Sequence, residues 1–274
     1  MNNVVSIWER SGTLAYKFWN EGRADIPIYD MHGHMGSHNG IYMHRCEPES
    51  MAEHLRRIGV RHLVFSHHHV LFGTMRNAEV VEICRKYPDL YRMYVGIIPR
   101  FPENIREDLA NFDKWAPYAV GLKCLADYYK IPLTDPAWEY ALKFADERAL
   151  PVLFHTWGNS KYNGGEVMMK LVQKYPRLKF FVGHSLYNEW DTAERIVKES
   201  CGNVWLELTA IPGEYKRVEE LAARVGSDRL LYGTDLPWFD EYQGVGGILS
   251  TELAEDDMRN ILYRNAERIF GKDW

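Results

Sequence analysis

Pro27-Ile28-Tyr29-Asp30-Met31-His32-Gly33-His34 is a short, largely apolar run that ends in two histidines one residue apart. Its length and composition suit a parallel strand buried on both faces. Residues two apart on a strand share a face, so His32 and His34 point to the same side. Starting from Pro27–Met31, β-rich runs of this kind recur along the chain. They are His62–Ser66, Arg92–Ile98, Ala119–Cys124, Pro151–Phe154, Leu178–Val182, Val204–Leu208 and Leu230–Tyr232. Longer amphipathic segments separate them. Glu49–Ile58 keeps Met51, Leu55 and Ile58 on one face, and Asp135-Pro136 opens a helix with a capping residue and a first-turn proline. Eight strand–helix units predict an α/β fold, a (β/α)8 TIM barrel, rather than an open sheet. An open dinucleotide-binding sheet would place a glycine-rich turn after its first strand, where this chain has His-Gly-His.

The length of 274 residues fits one such domain over 1–274, with 1–25 as an N-terminal helical extension. Val4–Trp19 reads as an amphipathic helix, and its Trp8, Tyr16 and Trp19 offer a contact surface for a homodimer. The net charge of −5 argues against a nucleic-acid partner. No apolar run approaches the roughly 18 residues of a membrane span, and the first 21 residues hold no signal-peptide core. Cys46, Cys84, Cys124 and Cys201 form no close pair, which points to a reducing, cytoplasmic setting.

Barrel active sites form at the C-terminal ends of the strands, so the residues ending each strand are informative. Strand one ends in His32 and His34, strand five in His155, strand six in His184 and strand eight in Gly233-Thr234-Asp235. A lone histidine at a strand end is more often a hydrogen-bonded structural residue than a ligand. The coincidence of these residues on one rim carries the reading. His32, His34, His155 and Asp235 supply three nitrogens and one oxygen, a donor set that suits Zn²⁺, with Mn²⁺ or Fe²⁺ as alternatives.

The arrangement resembles the amidohydrolase superfamily of metal-dependent barrel enzymes. It is most similar to the amidohydrolase-2 branch, which includes proteins like aminocarboxymuconate-semialdehyde decarboxylase. The matching stretches are Asp30–His34, Leu150–His155, Phe181–His184, Tyr232–Pro237 and Asn265–Phe270. The resemblance implies that His32, His34 and His155 are ligands. Asp235 holds the metal or shuttles a proton, and His184 polarises substrate or water. Lys123 sits where binuclear relatives carry a carboxylated lysine, so one ion is the default and a second, held by Lys123 and His184, stays open. The turn after His184 departs from the branch, reading Ser185-Leu186-Tyr187 where a glycine is usual.

The expected activity is therefore metal-dependent hydrolysis of an ester, lactone or amide of a small, carboxylate-bearing or ring substrate, by water activated at the metal. Asp235 and His184 are the expected catalytic residues. The first alternative is non-oxidative decarboxylation of a small aromatic or unsaturated acid, a lyase reaction. A metal- or ligand-binding barrel without catalysis ranks below both. Arg100 is placed to pair with a substrate carboxylate, and Tyr128, Trp157 and Trp238 to wall a pocket. Leu236–Ala254, with Gly244, Gly246 and Gly247, reads as a lid loop. His67-His68-His69 reads as a solvated loop, with a pocket-lining role for one of them as the alternative. His54 and His62 read as surface residues.

Overall fold

In the computed structural model, residues 11–272 and 274 are described. Eight parallel strands follow one another in sequence order: β1 (Ile28–Met35), β2 (Val60–His67), β3 (Tyr91–Ile97), β4 (Ala119–Cys124), β5 (Pro151–His155), β6 (Lys179–Gly183), β7 (Val204–Glu207) and β8 (Leu230–Leu231). The cycle closes between the ends of β8 and β1. Met31 N–H donates to Tyr232 O at 2.9 Å, Asp235 N–H to His32 O at 2.6 Å and His34 N–H to Leu236 O at 2.6 Å. The architecture is the (β/α)8 barrel expected from the rhythm of apolar runs.

Two apolar cores support it. A small one fills the barrel interior with Tyr29, Met31, Val64, Tyr94, Leu153, Phe181 and Leu231. A larger one lies between the strands and the surrounding helices. The helix Pro48–Ile58 buries Met51, Leu55 and Ile58, the stripe its sequence predicts. The register of β1 against β2 shifts between Asp30 and Gly33. Irregularities of this kind re-aim side chains beside active sites.

The C-terminal segment folds as Glu255–Arg259, a π turn at Asn260–Arg264, and Asn265–Phe270. Buried Asn265 explains how it docks. Its amide donates to Leu230 O at 2.7 Å and Ser227 O at 2.8 Å, tying the last helix to β8.

Two expectations need correction. The described part of the N-terminal segment forms a helix only over Leu14–Glu21, after a turn at 11–13, and residues 4–10, with Trp8, lie outside the described residues. The helix is capped by Thr13, whose hydroxyl accepts from Tyr16 N–H at 3.2 Å. The expected lid loop instead contains a helix, Glu241–Leu249, capped by Asp240. Its glycines serve close packing. A Cβ on Gly247 would lie 2.6 Å from Pro212 Cβ, and one on Gly246 would meet the Trp19 ring.

A fitted helix and a hinged lid respond differently to added bulk. Gly247→Leu is expected to lower unfolding free energy by about 1–3 kcal/mol through overpacking against the rigid Pro212 ring. Urea denaturation reads this, and an unchanged midpoint would mean the segment has room to move.

Candidate metal centre

The β1–β8 seam brings together residues some two hundred positions apart. The Asp30 carboxylate accepts from His32 N–H at 2.9 Å, from Thr234 N–H at 3.2 Å and from the Thr234 hydroxyl. This ties His32 within β1 and Thr234, the residue before Asp235, to one anchor. Asp235 itself takes a left-handed backbone, φ 65°, which an aspartate tolerates better than most residues. Its Oδ1 then lies 3.0 Å from His34 Nε2 and 3.4 Å from His32 Nε2. His32, His34 and Asp235 form a group whose ligand atoms all lie within 4.8 Å of one another.

Each imidazole is held from behind. His32 Nδ1 lies 2.6 Å from Glu207 Oε2, with both side chains fully buried. Lys123 Nζ donates to His32 Nε2 at 2.8 Å, so that ring carries its proton on Nδ1 and donates it to Glu207. His34 Nδ1 pairs with Ser66 Oγ at 3.0 Å. Carboxylate or hydroxyl partners on the far ring nitrogen are what orient metal-binding histidines. Glu207 in turn accepts from Thr209 N–H and Thr209 Oγ, both at 2.6 Å, and from His184 N–H at 3.3 Å. Burial pushes the Glu207 carboxyl up, and these donors, which favour the ionised form, oppose the rise. Gly233 is required here, because a Cβ would meet Glu207 Oε1 and the His32 side chain.

The electrostatics favour a cation. Burial lowers His32, His34 and His184 well below the usual histidine range and His155 to about 4, so all four rings are neutral at pH 7. Neutral imidazole is the form that binds metal. Burial alone would raise Asp235, but His32, His184, Lys123 and His155 outweigh it and hold the carboxyl below its ordinary value. Burial brings the Lys123 amine down to about 8.

His155 and His184 stand on the same rim, outside the three-residue group. His184 Nε2 lies 3.1 Å from His155 Nδ1. His184, Ser185 and Leu186 all have positive φ, so the turn that lacks the usual glycine still adopts a glycine-like backbone. Strained residues of this kind cluster at functional sites.

His34, Asp235, His155 and His184 also line a cavity of about 300 Å³. Leu125, Tyr128, Trp157, Trp238 and Phe239 supply its apolar lining. His68 lines it too, the one member of the three-histidine run that reaches in. Its ring stacks on His34, with centroids 4.6 Å apart. His68 Nδ1 pairs with Gly36 O, and its Nε2 accepts from Trp238 Nε1 at 3.3 Å, which braces that indole. Arg100 is not part of the lining. Its Nη2 donates to Tyr129 O at 2.7 Å. His54 and His62, read as surface residues, are buried at 5% and 4% exposure.

A family model described as amidohydrolase matches residues 29–272. The chain belongs to the amidohydrolase family. Solved structures share the amidohydrolase barrel over most of its length. 2,6-Dihydroxybenzoate decarboxylase from Rhizobium is 15% identical with a TM-score of 0.69, covering 89% of this chain and 98% of that one. 5-Carboxyvanillate decarboxylase from Novosphingobium aromaticivorans, complexed with manganese and 4-hydroxy-3-methoxy-5-nitrobenzoic acid, is 13% identical with a TM-score of 0.71, covering 90% and 97%. A TIM-barrel protein from Bordetella bronchiseptica is 17% identical with a TM-score of 0.72, covering 90% and 100%. At these identities the likeness shows the fold. A search of the curated proteins returned no match. Among the described residues, no helix is long and apolar enough to cross a membrane.

Sequence reading missed Glu207, Ser66 and Asp30 as supports of the site. Glu207 left a signal: a single carboxylate between Leu206 and Leu208 in an otherwise apolar strand end.

Metal-free protein titrated with Mn²⁺ or Zn²⁺ is expected to bind one equivalent, and His32→Ala to lose it. Glu207→Gln is expected to weaken affinity by about 10–100-fold, because it removes the acceptor behind His32. Competition with a chromophoric chelator reads both. Wild-type affinity in His32→Ala would contradict the centre.

Proposed function

We propose that this amidohydrolase is a metal-dependent decarboxylase of small aromatic carboxylic acids. The observation that carries this reading is the cavity itself, in which flat apolar side chains face a rim of histidine and aspartate. A volume of about 300 Å³ suits a single substituted ring. Tyr128, Trp157, Trp238 and Phe239 grip the ring faces and edges. With Arg100 bound to Tyr129 O, the substrate carboxylate would face the His34–Asp235 rim, where a cation held by these residues would neutralise it. The decarboxylase activities of the Rhizobium and Novosphingobium proteins support the same chemistry.

The donor set fits one divalent ion: two imidazole nitrogens and a carboxylate oxygen in reach of one point, with His155 beside them. Manganese in the Novosphingobium structure makes Mn²⁺ the first ion to test, with Zn²⁺ beside it. The bound ion supplies Lewis acidity that draws electron density from the acid.

The remaining work falls to the protein. Loss of CO₂ breaks the bond from the ring carbon to the carboxyl carbon and leaves its electron pair on the ring. A proton must arrive at that carbon. Asp235, ionised at neutral pH, takes the proton of a neighbouring ring hydroxyl and delivers it to the ring carbon. The substrate thus gives up CO₂ and moves one proton from oxygen to carbon, with no outside reagent. His184, within reach of the same cavity, orients the oxygen that loses the proton. The aromatic lining keeps water from competing for it.

Hydrolysis of an ester, lactone or amide would use the same donors and the same aspartate, so the products decide. Hydroxylated benzoic acids incubated with Mn²⁺-loaded protein are expected to release CO₂ stoichiometrically with the decarboxylated phenol. Asp235→Asn is expected to abolish turnover, and His184→Asn to cripple kcat by about 10²–10⁴ while retaining more of the metal. Ring-opened acid from a lactone with no CO₂ from any aromatic acid would overturn the proposal.

A further inference from the structure

His155 is held differently from the other histidines on the rim. His32 and His34 rest their Nδ1 atoms on Glu207 and Ser66 and turn Nε2 inward. In His155 the inward atom is Nδ1, 3.1 Å from His184 Nε2. Its Nε2 faces the other way, 3.9 Å from Asp127 Oδ2.

Asp127 follows β4 and is itself pinned. Ser160 Oγ–H donates to its Oδ1 at 2.9 Å, and Asn163 Nδ2 donates to its Oδ2 at 2.6 Å. The same Asn163 amide donates to the His155 backbone carbonyl at 2.7 Å, and Asn163 is fully buried. One segment after β5 therefore grips both the carboxylate and the backbone of the histidine it faces. An ionised carboxylate has about four acceptor sites, and these two donors leave the others open toward His155. At 3.9 Å this neutral ring and the carboxylate stand just beyond direct hydrogen-bond distance, and contacts of this kind in an empty site tighten when the site fills.

We propose that Asp127, set by Ser160 and Asn163, is a positioning residue that keeps the His155 proton on Nε2 and leaves Nδ1 bare for the metal ion. A carboxylate behind a ligating histidine fixes its tautomer and raises its basicity. Glu207 does this for His32 from the barrel core. Asp127 does it for His155 from the rim, through the opposite ring nitrogen. The proposal rests on reading the site as a metal centre.

Two measurements on metal-free protein labelled with ¹⁵N-histidine test it. Long-range ¹H–¹⁵N correlation reads the tautomer of His155, and competition against a chromophoric chelator reads the affinity for Zn²⁺ alone. Wild type is expected to hold His155 in the Nε2–H form. Asp127→Ala, with Asp127→Asn as the gentler variant, is expected to populate both tautomers and weaken Zn²⁺ binding by about 10–100-fold. Thermal unfolding of the metal-free variants confirms that each is folded. Either reading staying at its wild-type value in both variants overturns the proposal. If the wild type itself binds no ion, the metal centre fails as a reading, and the tautomer alone decides the role of Asp127.

Discussion

The seam between β8 and β1 is the contact on which the site depends. Three backbone hydrogen bonds close the barrel there, two of them from or to the residues that bear the histidines and the aspartate. Closing the sheet and assembling the centre are thus one event. Asp30 reinforces the seam by accepting from both His32 N–H and Thr234 N–H across it. The last helix reinforces it again through Asn265 and the Leu230 carbonyl. A barrel left open at this edge would separate His32 and His34 from Asp235.

The centre also shows how burial and hydrogen bonding divide the labour. Burial strips the histidines of charge, which prepares neutral nitrogen donors. Left to itself, burial would also neutralise Asp235. The cationic and imidazole neighbours prevent that and leave one ionised carboxylate among neutral rings. Lys123 occupies the inward nitrogen of His32 with a buried amine, so a cation held at that nitrogen would take the place of one positive partner. Glu207, fully buried behind His32, pairs with that ring's Nδ1 through one oxygen and accepts from Thr209 N–H and Oγ–H through the other.

The barrel was legible because buried parallel strands read as near-continuous apolar runs, and β1 to β8 each contain most of the run that marks them. The His32, His34 and Asp235 group was legible for a related reason. Functional residues of a barrel sit where strands end, and those ends can be found by where the apolar character stops. What escaped was tertiary. Glu207 supports His32 from 175 positions away, and nothing local in Trp205-Leu206-Glu207-Leu208 says which ring it faces. The Leu236–Ala254 segment misled because three glycines read as loop, whereas Asp240 caps a helix and Pro212 needs a neighbour without a side chain. Arg100 misled because a guanidinium at a strand end is as well satisfied by a backbone carbonyl as by a substrate.

The most direct measurement is anomalous diffraction at the metal edge from crystals grown with Mn²⁺ or Zn²⁺. One peak is expected, about 2.0–2.2 Å from His32 Nε2, His34 Nε2 and an Asp235 oxygen, with His155 completing the protein ligands. A peak held by other residues, or none at this rim with the ion bound elsewhere, would contradict the assignment of the centre and the chemistry built on it.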